Sequence, residues 1–230
     1  MEKHFRHLTE RDIATLAFVA RYRIGTASLF LDSVFENRCS VANVNRVVRR
    51  LEQRGLLRNH SVDTDLRFCV LTRRGFEALD LTPRTPRELT EQSLPVVLAI
   101  AAYCVRFELQ RLTNQEFRES YPELWRPGLR SSNYVLVETS EGVKLEMLLV
   151  DRGGAARRIR SRVRRVLNQR ESLPAFVSLI RSGRFRICVL TGNEIQKRKI
   201  DRQVEGQPFY PVEVNSVVIS ELSEMLLFKR

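Results

Sequence analysis

Ser40-Val-Ala-Asn-Val-Asn-Arg-Val-Val-Arg-Arg-Leu-Glu-Gln-Arg-Gly-Leu-Leu57 decides the fold of the first part of the chain. Val41, Val44, Val48 and Leu51 recur at helical spacing, so the segment predicts a helix with one buried stripe. Asn43, Asn45, Arg46, Arg49, Arg50 and Gln53 fall on its other face, which is rich in hydrogen-bond donors. Ser40 fits the N-cap, where its hydroxyl satisfies an orphan amide, and Gly55 fits the left-handed residue that closes a helix.

Outward from this helix the pattern changes period. Two shorter helical patterns precede it, Thr9 to Tyr22 and Thr26 to Phe35. In the first, Thr9 caps and Ile13, Leu16, Ala17 and Ala20 form the stripe; in the second, Leu29, Phe30 and Val34 face inward. Two β-prone runs follow, Leu56–His60 and Leu66–Leu71, around the polar turn Ser61–Asp65. Thr72–Leu79 then reads as a short capped helix. Three helices and a hairpin in this order predict a winged helix-turn-helix, whose third helix enters a DNA major groove and whose hairpin lies along the backbone or minor groove.

Composition is consistent with a polyanionic partner. The 230 residues carry a formal net charge of +12, a field that favours nucleic acid first and an anionic membrane surface second. Of 39 basic residues, 34 are arginine and 5 are lysine. The arginine fork suits phosphate and guanine edges, but arginine bias in a GC-rich genome predicts the same excess. Cys39, Cys69, Cys104 and Cys188 are scattered, which argues against a zinc site and a disulfide framework. The first residues lack a secretory apolar segment, and the longest apolar run, Leu94–Val105, is too short to span a bilayer. A soluble cytoplasmic protein is expected.

The phrases "LTERDIATLAFVARYRIGTASLF", "VANVNRVVRRLEQRGLLR" and "FCVLTRRGFEAL", within residues 8 to 79, resemble the winged-helix domain of the replication-relaxation family of plasmids and integrative elements. The closing "LTRRG" is common to many winged helices and speaks for the fold more than for the family. The expected domains are a winged helix over residues 1–80, a proline-containing linker over 81–92, and a second domain over 93–230.

The second half predicts a long amphipathic helix from Leu94 to Leu112, read as the opening helix of this domain's core in preference to a dimerisation helix. A hairpin follows, Asn133–Thr139 and Val143–Val150, then an arginine-dense helix from Ala155 to Gln169 with Ile159, Val163, Val166 and Leu167 buried. A helix over Ala175–Arg181, a strand over Phe185–Leu190, a helix over Glu194–Val204 and a strand over Val212–Ile219 complete an α/β arrangement.

This order is similar to the restriction-endonuclease-like core that follows the winged helix in the same family and in plasmid relaxases of that architecture. The resemblance implies carboxylates and a lysine around the hairpin, holding a divalent metal for phosphodiester hydrolysis. The chain departs from that pattern. Arg130-Ser-Ser-Asn133 stands where a Pro-Asp pair is expected, Leu149 where a glutamate precedes Asp151, and arginines where the helix would bring a lysine. One carboxylate in register does not hold such a metal, so a catalytically silent scaffold is expected, with no cofactor and no metal. The alternative is a metal-dependent, relaxase-like endonuclease using Glu108, Glu146 and Asp151 beside Lys144. Strand alternation sets Lys144 and Glu146 on one face and Asp151 on the other.

The expected function is a non-enzymatic, sequence-specific double-stranded DNA-binding protein of a mobile element, acting as transcriptional regulator or replication and mobilisation factor. Asn43, Asn45, Arg46 and Arg49 would read bases. Arg50, Arg54, Thr26, Ser28, Asn59, His60 and Arg67 would hold phosphates. The expected partners are duplex DNA, a second copy of the chain and other DNA-processing or transcription proteins, with no membrane association.

Overall fold

Thr9 and Asp12 set the first element in place. The Asp12 amide donates to the Thr9 hydroxyl at 3.2 Å and the Thr9 amide donates to the Asp12 carboxylate at 3.1 Å, a reciprocal box that satisfies two orphan donors. The helix it opens, α1, spans Glu10–Tyr22. A computed structural model describes residues 8–62, 66–82, 89–90, 92–127, 129, 133–207, 209 and 211–227. The tip of the expected turn at 63–65, most of the expected linker at 83–88 and 91, and residues 130–132 lie outside the described residues. The chain is a mixed fold of helices and sheets in two compact units, Met1–Val97 and Leu98–Arg230.

In the first unit α1 is followed by α2 (Ala27–Ser33), α3 (Val41–Gln53), β1 (Leu57–Ser61), β2 (Arg67–Leu71) and α4 (Arg73–Glu77). β1 and β2 pair antiparallel, with Leu57 opposite Leu71 and Ser61 opposite Arg67. Gly25, between α1 and α2, exchanges both backbone hydrogen bonds with Cys69, at 3.0 and 2.8 Å. A third extended segment thereby lies along β2. A Cβ at Gly25 would stand 2.1 Å from the Phe30 ring, so the close approach requires glycine.

The helical faces differ in part from those the periodicity predicts. On α1, Ile13 is 45% exposed and Ala17 is exposed, while Thr15, Leu16, Phe18, Val19 and Tyr22 are buried. The aromatic residues set this rotation: Phe18 packs 4.6 Å from Tyr22 and 5.5 Å from Phe30, burying more surface than Ile13 and Ala17 could. α2 ends at Ser33, short of Phe35, because Glu36 and Asn37 take left-handed φ of 49° and 56°. Leu29 and Phe30 face inward with Phe35 beyond the helix, and Val34 is half-buried. On α3, Val44, Val48 and Leu51 are buried, but Val41 is 47% exposed because it occupies the first helical position.

The second unit contains α5 (Leu94–Arg106), within whose first turns the two units divide, then α6 (Asn114–Ser120), β3 (Tyr134–Thr139), β4 (Gly142–Val150), α7 (Arg157–Glu171), α8 (Pro174–Arg181), β5 (Phe185–Thr191), α9 (Glu194–Val204), β6 (Glu213–Val218) and α10 (Ser220–Leu227). The sheet order is β3-β4-β5-β6; β3 and β4 are antiparallel, and β4, β5 and β6 run parallel. Leu145, Met147, Leu149, Phe185, Ile187 and Val189 form one face of the sheet and join Ile159, Val163 and Val166 of α7 and Phe176 of α8 in the core.

α5 stops at Arg106 rather than running to Leu112. The Leu109 amide donates back to the Cys104 carbonyl at 2.8 Å and the Glu108 amide to Val105 at 3.2 Å, with Glu108 left-handed at φ 53°. That pair of bonds is the Schellman closure of a helix. Thr113 and Glu116 then form a second capping box and start α6, which periodicity alone does not reveal because Leu109 and Leu112 continue the apolar spacing. α10 is likewise unanticipated. No helix among the described residues is long and apolar enough to cross a membrane.

Candidate nucleic-acid interface

α3 offers its polar face because its apolar stripe is taken up by the core. Ser40 accepts the Asn43 amide at 3.4 Å, and Arg46 donates to the Asn43 side-chain oxygen at 3.3 Å. Asn43, Asn45, Arg46 and Arg49 all lie outside the buried stripe. Amide and guanidinium forks are thus presented along one side of a helix that is anchored at both ends. Its far end is tied by Thr72, which donates to the Gly55 carbonyl at 2.6 Å and accepts the Gly75 amide at 3.1 Å. A Cβ at Gly75 would stand 2.3 Å from the Leu56 carbonyl oxygen, so the "LTRRG" phrase is a packing requirement for seating α4 against the hairpin.

The expected phosphate contacts differ in exposure and in their partners. Arg67 is exposed, opposite Ser61 at the end of the hairpin, and Ser28 lies in the first turn of α2. Arg54 stands at the C-cap of α3. Arg50, Asn59, Thr26 and His60 have partners within the fold, and Ser28 shares one of them. Arg50 Nη2 lies 2.5 Å from Asp12 Oδ1. The side chain of Asn59 donates to Glu52 at 2.5 Å and its amide donates to the same carboxylate at 3.2 Å, clasping β1 to α3. Thr26 is 7% exposed; its hydroxyl caps α2 by accepting the Leu29 amide at 3.2 Å and meets Ser28 Oγ at 3.0 Å. His60 stacks on Phe68, its partner across the hairpin, with ring centroids 5.2 Å apart.

Two further exposed residues lie on these elements, Val41 at the start of α3 and Arg58 on β1. Val41 carried its own signal, since the Ser40 cap places it in the first turn, ahead of the full helical stripe. Arg58 follows buried Leu57 on the strand, but Asn59 is exposed as well, so a period of two does not single it out.

Glu108, Glu146 and Asp151 have different partners in the second unit, while Lys144 and Glu146 share Glu213 as a neighbour. Glu108 is exposed in the turn that ends α5. Glu146 is fully buried, accepts the Tyr103 hydroxyl at 2.7 Å and lies 2.5 Å from Arg186 Nε, an ion pair without hydrogen-bond alignment. Burial holds the Glu146 carboxyl above its ordinary value, against the opposing pull of Tyr103 and Arg186. Asp151, 5% exposed, accepts the Gly153 amide at 3.2 Å and the Gln196 side chain of α9 at 2.9 Å. Lys144 pairs with Glu141 at 2.9 Å and Glu213 at 3.8 Å. Among the described residues no group of three or more His, Cys, Asp and Glu is placed to hold a metal ion.

The arginines of α7 divide sharply. Arg170 is 1% exposed; it donates to the Tyr134 hydroxyl at 2.9 Å, and its guanidinium lies 5.4 Å from the Phe176 ring and 5.9 Å from the Phe185 ring. Burial raises the Tyr134 hydroxyl above its ordinary pKa, against the Arg170 charge. Arg162 donates to the Val150 carbonyl at 2.7 Å. Arg157, Arg158, Arg164 and Arg165 are exposed. No protein-family model, curated protein or solved structure matches the chain.

Proposed function

We propose that the chain is a sequence-specific double-stranded DNA-binding protein, of the kind a plasmid or integrative element uses as a transcriptional regulator or as a replication and mobilisation factor. The observation that carries the reading is the face of α3, where Asn43, Asn45, Arg46 and Arg49 stand together outside the core while Val44, Val48 and Leu51 anchor the helix. Asparagine matches adenine and arginine matches guanine in the major groove. The order of three helices and a hairpin, with the Gly25 segment along β2, supports a winged helix-turn-helix. On this reading Ser28, Arg54, Arg58 and Arg67 contact phosphates, while Arg50, Asn59 and Thr26 hold the helix and hairpin in position. We read the second unit as a restriction-endonuclease-like scaffold without catalysis; the mixed sheet β3-β4-β5-β6 supports the fold, and the ties of Glu146 to Tyr103 and Arg186 and of Asp151 to Gln196 support its silence.

The test is selection of bound sites from random duplex DNA at a fixed physiological salt, since an arginine-rich protein binds any DNA at low ionic strength. A defined motif is expected, and Arg46→Ala is expected to relax one base-pair position at a cost of about 1–3 kcal/mol. Equal affinity for all sequences would overturn the reading. Nicking of supercoiled plasmid in magnesium, abolished in Asp151→Ala, would overturn the silent second unit.

A further inference from the structure

The second unit carries more of the net charge than the unit proposed to read DNA. Residues 98–230 hold 23 basic and 15 acidic side chains, and residues 152–170 within them hold eight arginines and no acid. That single stretch accounts for the whole excess, and the rest of the unit is balanced. A codon bias toward arginine would raise arginine throughout the chain and would not clear the acids from residues 152–170.

α7 then sorts these arginines. Arg170 and Arg162 are consumed by the Tyr134 hydroxyl and the Val150 carbonyl. Arg157, Arg158, Arg164 and Arg165 are exposed and Arg160 is half-buried; among the described residues none of these five carries an ion pair. Arg160 and Arg164 are four residues apart and Arg157 and Arg160 three, so like charges face each other along the helix. Ala156 supplies no side-chain cap and the first turn has no acid, although arginines at a helix start are disfavoured by the macrodipole. The apolar stripe of Ile159, Val163, Val166 and Leu167 holds α7 in place against these electrostatics. An open groove of about 420 Å³ runs along the face, lined by Arg160, Ser161, Arg164, Arg165, Asn168 and Gln169. Every one of these side chains carries a hydrogen-bond donor.

We infer that this face of α7 is a second DNA-binding site, one that holds the phosphodiester backbone of duplex DNA without reading its sequence. A polyanion relieves both the repulsion between the arginines and the uncapped helix start. Arginine forks grip phosphate oxygens in pairs. From Arg157 to Arg165 the face extends about 12 Å at about 1.5 Å per residue, a length over which duplex DNA presents several phosphates at roughly one charge per 1.7 Å. The inference takes duplex DNA as the ligand from the proposed function, but it does not depend on base reading by α3.

The experiment compares the full-length protein with a variant in which Arg157, Arg160, Arg164 and Arg165 are all replaced by Gln, a matching Lys variant, and Arg46→Ala. Binding to random-sequence duplex is followed by anisotropy across a salt series, and helix content by circular dichroism. In the Gln variant, with helix content kept, the slope of log K against log salt is expected to become shallower by about 3.6, near 0.9 for each of four phosphates that are no longer neutralised. The selected motif is expected to stay the same. The Lys variant is expected to retain most of the slope, and Arg46→Ala to change it by about one or less. An unchanged slope in a folded Gln variant overturns the inference. So does a Gln variant that no longer binds phosphatidylserine vesicles or an acidic peptide while its DNA affinity stays whole. A shallower slope in a protein that selects no motif overturns base reading by α3 and leaves the α7 site standing.

Discussion

Arg50 of α3 holds the carboxylate of Asp12 on α1, with Nη2 and Oδ1 2.5 Å apart and Asp12 only 1% exposed. Two residues 38 positions apart thereby fix the rotation of the proposed reading helix against the first helix. Burial alone would raise the Asp12 carboxyl; the Arg50 hydrogen bond, the Thr9 backbone and hydroxyl bonds and the Arg50 charge outweigh it, leaving the pKa below 3.8. A folded pKa depressed below the unfolded one stabilises above the unfolded value and stops doing so as pH falls through the folded value. The first unit is therefore expected to hold its stability above pH 3.8 and to lose part of it in more acidic solution. Asp12→Asn is expected to cost about 1.5–3 kcal/mol at neutral pH, the range for a hydrogen bond to a charged group, and to flatten the acid limb. Denaturant unfolding across pH checks both; an acid limb of unchanged depth in the variant would assign it to other carboxylates.

Val41 presents an exposed valine at the start of a polar helix face. On the proposed function it meets the 5-methyl group of a thymine, the one apolar feature of the major groove. Replacing that thymine by uracil in the selected site is expected to weaken binding about fourfold, roughly 0.8 kcal/mol for one methyl group. Val41→Ala is expected to be indifferent to the exchange. Equal sensitivity in both proteins would remove Val41 from the contact.

Glu108 spends its conformation on a helix end. Its φ of 53° and the bonds that close α5 place an L residue where glycine is favoured. Glu108→Gly is expected to raise stability by about 0.5–1 kcal/mol, read from the denaturant midpoint of the second unit. A lower midpoint would show that the glutamate side chain has a stabilising role.

The four cysteines differ in access. Burial, then the charge of Glu52, pushes the Cys69 thiol up to about 12; burial also raises Cys188, with Glu146 beside it, and Cys104 is buried. Cys39 is half-buried. Because the thiolate is the reacting form, alkylation of the native protein at neutral pH is expected to label Cys39 first, as read by peptide mass spectrometry. Early labelling of Cys69 or Cys188 would mean that the sheets open readily.

What short-range rules control was legible in the amino-acid order. The Thr9, Thr26 and Ser40 caps, the ends of α3, the Ile159, Val163, Val166 and Leu167 stripe of α7 and the span of α9 follow from side chains within a turn or two, and the structure places them where periodicity and capping predict. Thr113 and Glu116 obeyed the same rule, but an apolar spacing that ran through Leu112 concealed them.

Which of several like residues takes which role was settled by packing between elements. Phe18 and Tyr22 rather than Ile13 and Ala17 turn inward on α1 because Phe30 supplies a ring to pack against. Arg50 is bound to Asp12 while Arg46 and Arg49 stay outside the core on the same helix. Arg170 is buried against Tyr134 while Arg164 and Arg165 face outward. In each case a charged or aromatic side chain is fixed by a partner from another element, and periodicity along one helix carries no information about that partner.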